Sequence, residues 1–326
     1  MQNFLDPAIL FFVFGLVAGT LRSNLEIPPQ IARFLSLYLL MALGLKGGFA
    51  LAQSGLTAEV ALSLGAAVAL ALLVPAIGYL LLQRLLSRFD AAALAATYGS
   101  VSAVTFITAV QYLESRHIPY GGHMAAAMAL MESPAIVMAV LLANKARQHA
   151  ASAAGTAGAG QAAQHGIGKL LHESFTDGAQ LLLLGAMVVG LVTGEAGRVA
   201  MQPFSGELFK GMLAFFLLDM GLLAARNLGT LKGRSPWLLV YAIGGPLCHA
   251  ALAFGVAALL GLSVGNAALL MTLAASASYI AVPAVVREAI PEANPSLYFG
   301  MSLGLTFPFN ILVGIPLYEA LAQRLA

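Results

Sequence analysis

The chain has 326 residues, of which 60% are hydrophobic and only 9% are charged, against about 25% charged residues in an average soluble domain. A mean hydropathy of +0.88 excludes a large soluble domain with a single membrane anchor, because such a domain would lower the average. Continuous apolar runs without period-two alternation exclude an outer-membrane barrel. The net charge of +2 gives no indication of nucleic-acid binding, and the single Cys248 excludes an internal disulfide.

Ten apolar segments follow one another along the chain, and we interpret each as a membrane span. The first has no Lys or Arg before it, so we expect a retained span rather than a cleaved signal peptide. The pattern predicts an all-α polytopic membrane protein with ten transmembrane helices, at residues 7–21, 34–53, 60–82, 91–112, 122–143, 174–193, 208–225, 236–260, 266–286 and 296–321.

A stretch rich in Ala, Gly, Ser and Gln, residues 150–164, separates the fifth and sixth segments and is typical of a flexible linker. We therefore predict a five-helix repeat at 1–145, a linker at 146–172 and a second repeat at 173–326. Short motifs recur in the same order in both halves, which favours an internal duplication, and an odd number of spans inverts the second copy. The matched motifs include Ser100-Val101-Ser102 with Ser276-Ala277-Ser278, and Ile118-Pro119 with Ile290-Pro291.

Most Lys and Arg residues of the connections fall on one side of the predicted membrane, the side that contains the linker. Basic connections remain in the cytoplasm during membrane insertion. We therefore expect a multi-pass protein of the bacterial inner membrane with both termini outside and the linker in the cytoplasm.

Hydroxyl-rich patches interrupt the fourth and ninth segments, accompanied by Gly99 in one and Pro283 in the other. A helix break exposes backbone groups that lipid cannot satisfy; free N–H groups attract anions, and free carbonyls attract cations. We predict that the two spans are discontinuous and cross at a substrate site, although small residues at a tight helix contact would give a similar pattern. The predicted site residues are Ser100, Ser102, Thr105, Ser276, Ser278 and Tyr279.

Polar residues inside predicted spans are candidates for coupling to a cation, because they are costly in hydrocarbon. Glu132 could bind sodium or a proton, or could be a protonated acid hydrogen-bonded to a neighbouring helix. For Asp219, a role in packing or charge pairing is about as plausible as a role with the solute. Asn310 occupies the second-half region equivalent to Glu132, and either lines the site or bonds across helices.

These motifs, in this order and spacing, resemble the sodium-dependent bicarbonate transporter family over almost the whole chain. The resemblance implies ten helices in two inverted repeats, sodium-coupled bicarbonate uptake, a trimer, and in some members a PII-type regulator at the cytoplasmic face. Members from photosynthetic bacteria carry an Asp where this chain has Tyr279, so the chain resembles a divergent sister group. The matching stretches include Gly44–Gly48, Gly99–Ser102, Glu132–Val137, Ala289–Ser296 and Gly314–Leu317.

The sequence therefore favours a secondary transporter of a small anion, with bicarbonate as substrate and sodium as the coupling ion. Two alternatives stay open: proton-coupled transport of another small anion or carboxylate, and a non-transporting membrane sensor. An enzyme is not expected, because neither a Gly-x-Ser-x-Gly elbow nor a second intramembrane Asp motif is present. No cofactor is expected, and the expected partners are lipid, the anion and further copies of the chain. The linker lacks bulky anchors for a regulator.

Overall fold

The computed structural model describes residues 6–55, 57–153, 178–231, 233–279, 282, 286–287 and 290–325. Within these ranges the chain is helical and has no strand, which confirms the predicted all-α class. The helices are α1 (Pro7–Thr20), α2 (Pro29–Ser54), α3 (Ala58–Leu82), α4 (Arg88–Gly99), α5 (Ala103–Ser115), α6 (His123–Ala153), α7 (Gly178–Met201), α8 (Phe209–Leu228), α9 (Pro236–Leu260), α10 (Val264–Ala275) and α11 (Pro295–Leu325).

Several helices begin where the sequence supplies a cap. The Asp6 carboxylate accepts the Ala8 N–H at 2.8 Å, and Pro7 occupies the first turn of α1, where its missing N–H costs nothing. The Asn294 side chain accepts the Ser296 N–H at 3.0 Å at the start of α11. Farther along, α11 contains wider π-helical turns at Gly300–Thr306 and Asn310–Gly314.

Six helical segments of the described chain are long and apolar enough to cross a membrane, and α1 and α10 are shorter apolar helices. A multi-pass membrane protein is therefore supported, while ten spans in two inverted repeats stay a prediction. Helix α6 continues to Ala153, so residues 146–153 of the predicted linker are helical. The rest of that linker lies outside the described residues, as does most of 280–289.

Two helix pairs join the halves through glycines. Helix α2 packs on α7, and a Cβ at Gly48 would lie 2.1 Å from the Met187 carbonyl oxygen. Helix α1 packs on α8, and a Cβ at Gly15 would lie 2.3 Å from the Leu218 carbonyl oxygen. Small residues let membrane helices approach closely enough for backbones to touch. The two contacts are equivalent in the predicted repeat, since α1 corresponds to α7 and α2 to α8.

Helices α4 and α10 are enclosed by other helices on all sides. The run Ala91–Gly99 is buried at every residue, and so is Gly265–Ala275. Helix α4 packs against α3 and α6, whereas α10 packs against α9, α11 and α5. A helix that is apolar all round belongs in a protein interior. The ends of both helices, where the predicted site residues lie, are therefore shielded from lipid.

Candidate functional site at the two helix breaks

The first break separates α4 from α5. Helix α4 ends at Gly99, Ser100 and Ser102 are extended, and α5 begins at Ala103. The Ser102 hydroxyl accepts the Thr105 N–H at 3.2 Å and so caps α5. A Cβ at Gly99 would lie 2.6 Å from the Pro75 ring, so α3 approaches the break too closely for a side chain there. Residues 100–102 are therefore not helical, and α4 and α5 are separate helices.

The second break follows α10, which ends at Ala275. Ser276 is extended, and its hydroxyl donates to the Leu273 carbonyl at 2.9 Å. The Ser278 hydroxyl accepts the Val282 N–H at 3.3 Å. Each break therefore has a Ser-x-Ser sequence whose second serine accepts a backbone N–H from three or four residues farther on.

The two breaks contact each other. The Ser102 N–H donates to the Ser276 hydroxyl at 3.0 Å, and the Ser278 N–H donates to the Thr97 carbonyl at 2.8 Å. Broken backbone survives in a membrane protein only where such partners, or water, satisfy it. The start of α5 also places the positive end of a helix dipole at this contact. The chain after α4 and the chain after α10 are thus joined by two direct hydrogen bonds.

Three hydroxyls at the breaks are buried and have no hydrogen-bond partner among the described residues: those of Ser100, Thr105 and Tyr279. Buried polar groups are rarely left unpaired, because each lost hydrogen bond costs about 1–3 kcal/mol. These three hydroxyls are therefore candidates for hydrogen bonds to a polar solute or to water.

The ring and the hydroxyl of Tyr279 have different neighbours. Its ring packs edge-on against Phe307 with centroids 5.3 Å apart, and Phe307 packs on Phe12 at 5.5 Å. Its hydroxyl lies near the Ser102 side chain and within electrostatic range of the Asp219 carboxylate. The residue therefore fills space on one side and presents a hydroxyl to the break on the other.

Asn310 bonds across helices, one of the two roles predicted for it. It is fully buried, and its side-chain amide donates to the Ala275 carbonyl at 2.9 Å. The Tyr318 hydroxyl donates to its carbonyl oxygen at 2.8 Å. Asn310 thus satisfies the last carbonyl of α10, and it is also a wall of the second break.

The two candidate acids lie in different surroundings. Glu132 is partly buried on α6 and accepts a hydrogen bond from the Gln180 amide of α7 at 2.6 Å. Asp219 is buried on α8, two residues before the close contact of Gly221 with α1. The Asp219 carboxylate interacts electrostatically with Arg226 near the end of α8 and with Tyr279 at the second break. In the described ranges, no group of three His, Cys, Asp or Glu residues could hold a metal ion.

Sequence reasoning missed the residues that hold the first break in place. The Tyr98 hydroxyl and the Thr306 hydroxyl are 2.6 Å apart, and Thr306 also reaches the Ala242 carbonyl at 2.6 Å. This chain of contacts joins the end of α4 to α9 and α11. The sequence signal is a Tyr directly before the break-forming Gly99, but its partner is 208 residues away and has no local signature.

A sequence profile of the Na⁺-dependent bicarbonate transporter superfamily matches residues 7–323. No curated protein sequence matches the chain. Because the profile covers nearly the whole chain, the chain belongs to this superfamily, and the resemblance stated from its motifs is confirmed.

Proposed function

We propose that the chain imports bicarbonate together with sodium and that the contact between the two helix breaks is the binding site. The observation that carries this proposal is the set of unpartnered hydroxyls of Ser100, Thr105 and Tyr279 beside the hydrogen bond from Ser102 to Ser276. Membership of the superfamily supports a transporter rather than an enzyme or a sensor.

Bicarbonate suits this chemistry because it carries one charge and three oxygens that accept hydrogen bonds. The hydroxyls of Ser100 and Thr105 can donate to it, and the N-terminus of α5 supplies partial positive charge. The buried polar side chains of the described ranges include no Lys or Arg. A bound anion would therefore lack a full countercharge from a side chain, and a sodium ion that enters with it would supply one.

The coupling ion is proposed to lie near the Asp219 carboxylate. Sodium prefers oxygen ligands, and hydroxyls, carbonyls and the Asp219 carboxylate are the oxygens that the described surroundings offer. Glu132 and Asn310 stay in the proposal as further coupling groups. Asp219→Asn and Glu132→Gln separate the acids, because loss of ion dependence in a folded variant identifies the coupling acid.

The orientation and assembly are proposals as well. The charge asymmetry of the connections supports a bacterial inner-membrane protein with both termini outside and residues 146–172 in the cytoplasm. The family resemblance supports a trimer. Binding of a PII-type regulator stays a prediction of that resemblance.

The test is uptake of labelled bicarbonate into proteoliposomes under a sodium gradient, a proton gradient, or neither. Sodium-driven uptake is the expected result. Uptake driven only by protons would favour the alternative coupling, and uptake of a small carboxylate in place of bicarbonate would change the substrate. Absence of flux of either anion under every gradient would favour the membrane sensor.

A double variant locates the site. Ser100→Ala with Thr105→Val removes two proposed donors and is expected to reduce uptake severely while the protein stays folded. Ser63→Ala is the matched control, since Ser63 is a buried serine on α3 whose hydroxyl also has no partner among the described residues. Equal uptake by the double variant and the control would contradict the assignment of the site.

A further inference from the structure

A cavity of about 490 Å³ lies where α5 ends, between α5, α11 and the first turns of α1 and α8. Charged, polar and apolar side chains all line it. The residues used below are Asp6, Thr108, Gln111, Arg116, Lys210 and Ile311. The predicted topology places this opening on the outer side of the membrane.

The cavity and the helix breaks share two helices. Thr108 lines the cavity and lies six residues after Ser102 on α5, which corresponds to about 9 Å along a helix. Thr105, with its unpartnered hydroxyl, lies between them. On α11, Ile311 lines the cavity and directly follows Asn310, which caps the second break. The lining residue Thr108 is therefore about one helical turn from Thr105.

The opening carries two cations, each paired with an acid that is less exposed. Lys210 bonds Asp6 at 2.9 Å, and their side chains are 43% and 22% exposed. Arg116 lies 4.0 Å from Glu319, and their side chains are 40% and 4% exposed. Although the four charges balance, the positive ends extend farther towards water. An anion that arrives from water therefore meets the two basic groups before the acids that neutralise them.

We propose that this cavity is an entry vestibule that binds a small monovalent oxyanion before it reaches the helix breaks. Arg116 and Lys210 attract the anion at the rim, while Gln111 and Thr108 offer hydrogen-bonding groups along the wall. The identity of the anion as bicarbonate rests on the proposed function. Access of charged reagents to the vestibule, and its preference for anions, can be measured without transport.

Charged thiol reagents test the vestibule directly. Cys248 is exposed and is the only cysteine, so Cys248→Ser gives a background without thiols. In that background Gln111→Cys is treated with two methanethiosulfonates of similar size, one with an anionic sulfonatoethyl group and one with a cationic trimethylammonioethyl group. We expect the anionic reagent to react several-fold faster. If Gln111→Cys does not fold, Ser115→Cys, which also lines the cavity, replaces it.

The charge preference is then removed at the rim. Arg116→Gln with Lys210→Gln is expected to bring the ratio of the two rates close to one. Arg198→Gln with Arg324→Gln removes two charges predicted on the same side but absent from the cavity lining, and should leave the ratio unchanged. Ser63→Cys, buried on α3, should stay unreactive. A faster cationic reagent, or a ratio that the rim variant does not alter, overturns the proposal.

Protection identifies the ligand. Bicarbonate should slow labelling of Gln111→Cys more than chloride at the same ionic strength, and equal effects of the two anions would overturn oxyanion binding in the vestibule. These rates are measured without transport. Normal labelling behaviour with no uptake in proteoliposomes would therefore contradict the proposed function alone, whereas uptake with an unreactive Gln111→Cys would contradict the vestibule alone.

Discussion

The break at Ser100–Ser102 and the break at Ser276–Tyr279 share a Ser-x-Ser sequence, but they satisfy their polar groups differently. The Ser276 hydroxyl accepts the Ser102 N–H and donates to the Leu273 carbonyl, so both of its functions are used. The equivalent Ser100 hydroxyl is buried and has no partner among the described residues. The same motif thus serves as a structural connection in one half and as a free hydrogen-bonding group in the other.

The equivalent regions of α6 and α11 differ in the same way. Asn310 of α11 bonds the end of α10 and accepts from Tyr318, which makes it part of the second break. Glu132 of α6 bonds Gln180 of α7 instead. In the predicted repeat, the second half therefore holds the contact between the breaks, and the groups left for the proposed solute come from the first half.

The largest expected effect comes from Asn310. Asn310→Ala leaves the Ala275 carbonyl and the Tyr318 hydroxyl without their partner, and unfolding should require on the order of 3 kcal/mol less, since each buried unpaired group costs about 1–3 kcal/mol. Thermal unfolding in detergent measures the loss. Asn227→Ala is the control, because the Asn227 side chain is partly exposed and, within the described structure, bonds only the Leu223 carbonyl of its own helix. Equal melting temperatures for the two variants would show that Asn310 contributes no more to stability than Asn227.

The two serines should separate stability from transport. Ser276→Ala removes the acceptor of the Ser102 N–H and is expected to destabilise the protein by about 1–2 kcal/mol. Ser100→Ala removes an unpartnered hydroxyl, so its stability should be almost unchanged while the KM for the anion rises about tenfold, the equivalent of ~1.4 kcal/mol. Thermal unfolding and uptake kinetics of both variants provide the measurement. An unstable Ser100→Ala with an unchanged KM would show that Ser100 has a structural role and does not bind the anion.

The helices and the end of α4 can be predicted from residue patterns. The contacts between the two breaks cannot, because they join residues that are far apart in the sequence. Long apolar runs predict helices, because backbone groups in lipid can form hydrogen bonds only within the protein. The serines that follow Gly99 indicate where one of these helices ends. The bond from Ser102 to Ser276 joins residues 174 positions apart, so its direction could not be predicted from either motif. For Asn310 the sequence left two roles open, since the composition of a buried helix does not tell which neighbour a side chain faces.

The vestibule shows the same limit. Arg116 and Lys210 are sparse basic residues of two connections, and the sequence assigns them only to a side of the membrane. Their position at one opening depends on how α5, α8 and α11 pack, which no local pattern encodes.

Substitutions of Tyr279 test whether the second break contributes to sodium binding. A phenol offers one neutral oxygen, whereas a carboxylate offers two oxygens and a charge, so the wild type should bind sodium weakly and need a high sodium concentration to drive uptake. Tyr279→Asp should lower the sodium concentration for half-maximal uptake about tenfold, or by ~1.4 kcal/mol. Tyr279→Phe, which keeps the ring contact with Phe307, should show no such gain. Tight sodium binding by the wild type would show that Asp219, Glu132 or backbone oxygens suffice.

The smallest expected effect concerns the segment that follows the second break. Arg147 of α6 bonds Glu292 through two hydrogen bonds of 3.0 Å, and this contact lowers the pKa of Glu292 below its ordinary value. The pair therefore stabilises the protein above about pH 4.3, the ordinary pKa of Glu, and loses its effect as the pH falls through the lowered value. Both side chains are 39% exposed, so water screens the pair and Glu292→Gln should cost only about 0.2–1 kcal/mol at pH 7.

The difference in melting temperature between wild type and Glu292→Gln, measured from pH 7 down to pH 3, tests this last prediction. The corresponding connector after the first break is held by Glu114, which bonds Tyr120 at 2.8 Å and Lys46 at 2.9 Å. That cluster is less exposed than the Arg147 pair, so Glu114→Gln should destabilise the protein more than Glu292→Gln. A difference for Glu292→Gln that grows as the pH falls would show that the carboxylate is unfavourable at its position, and that the connector after the second break is held by other contacts.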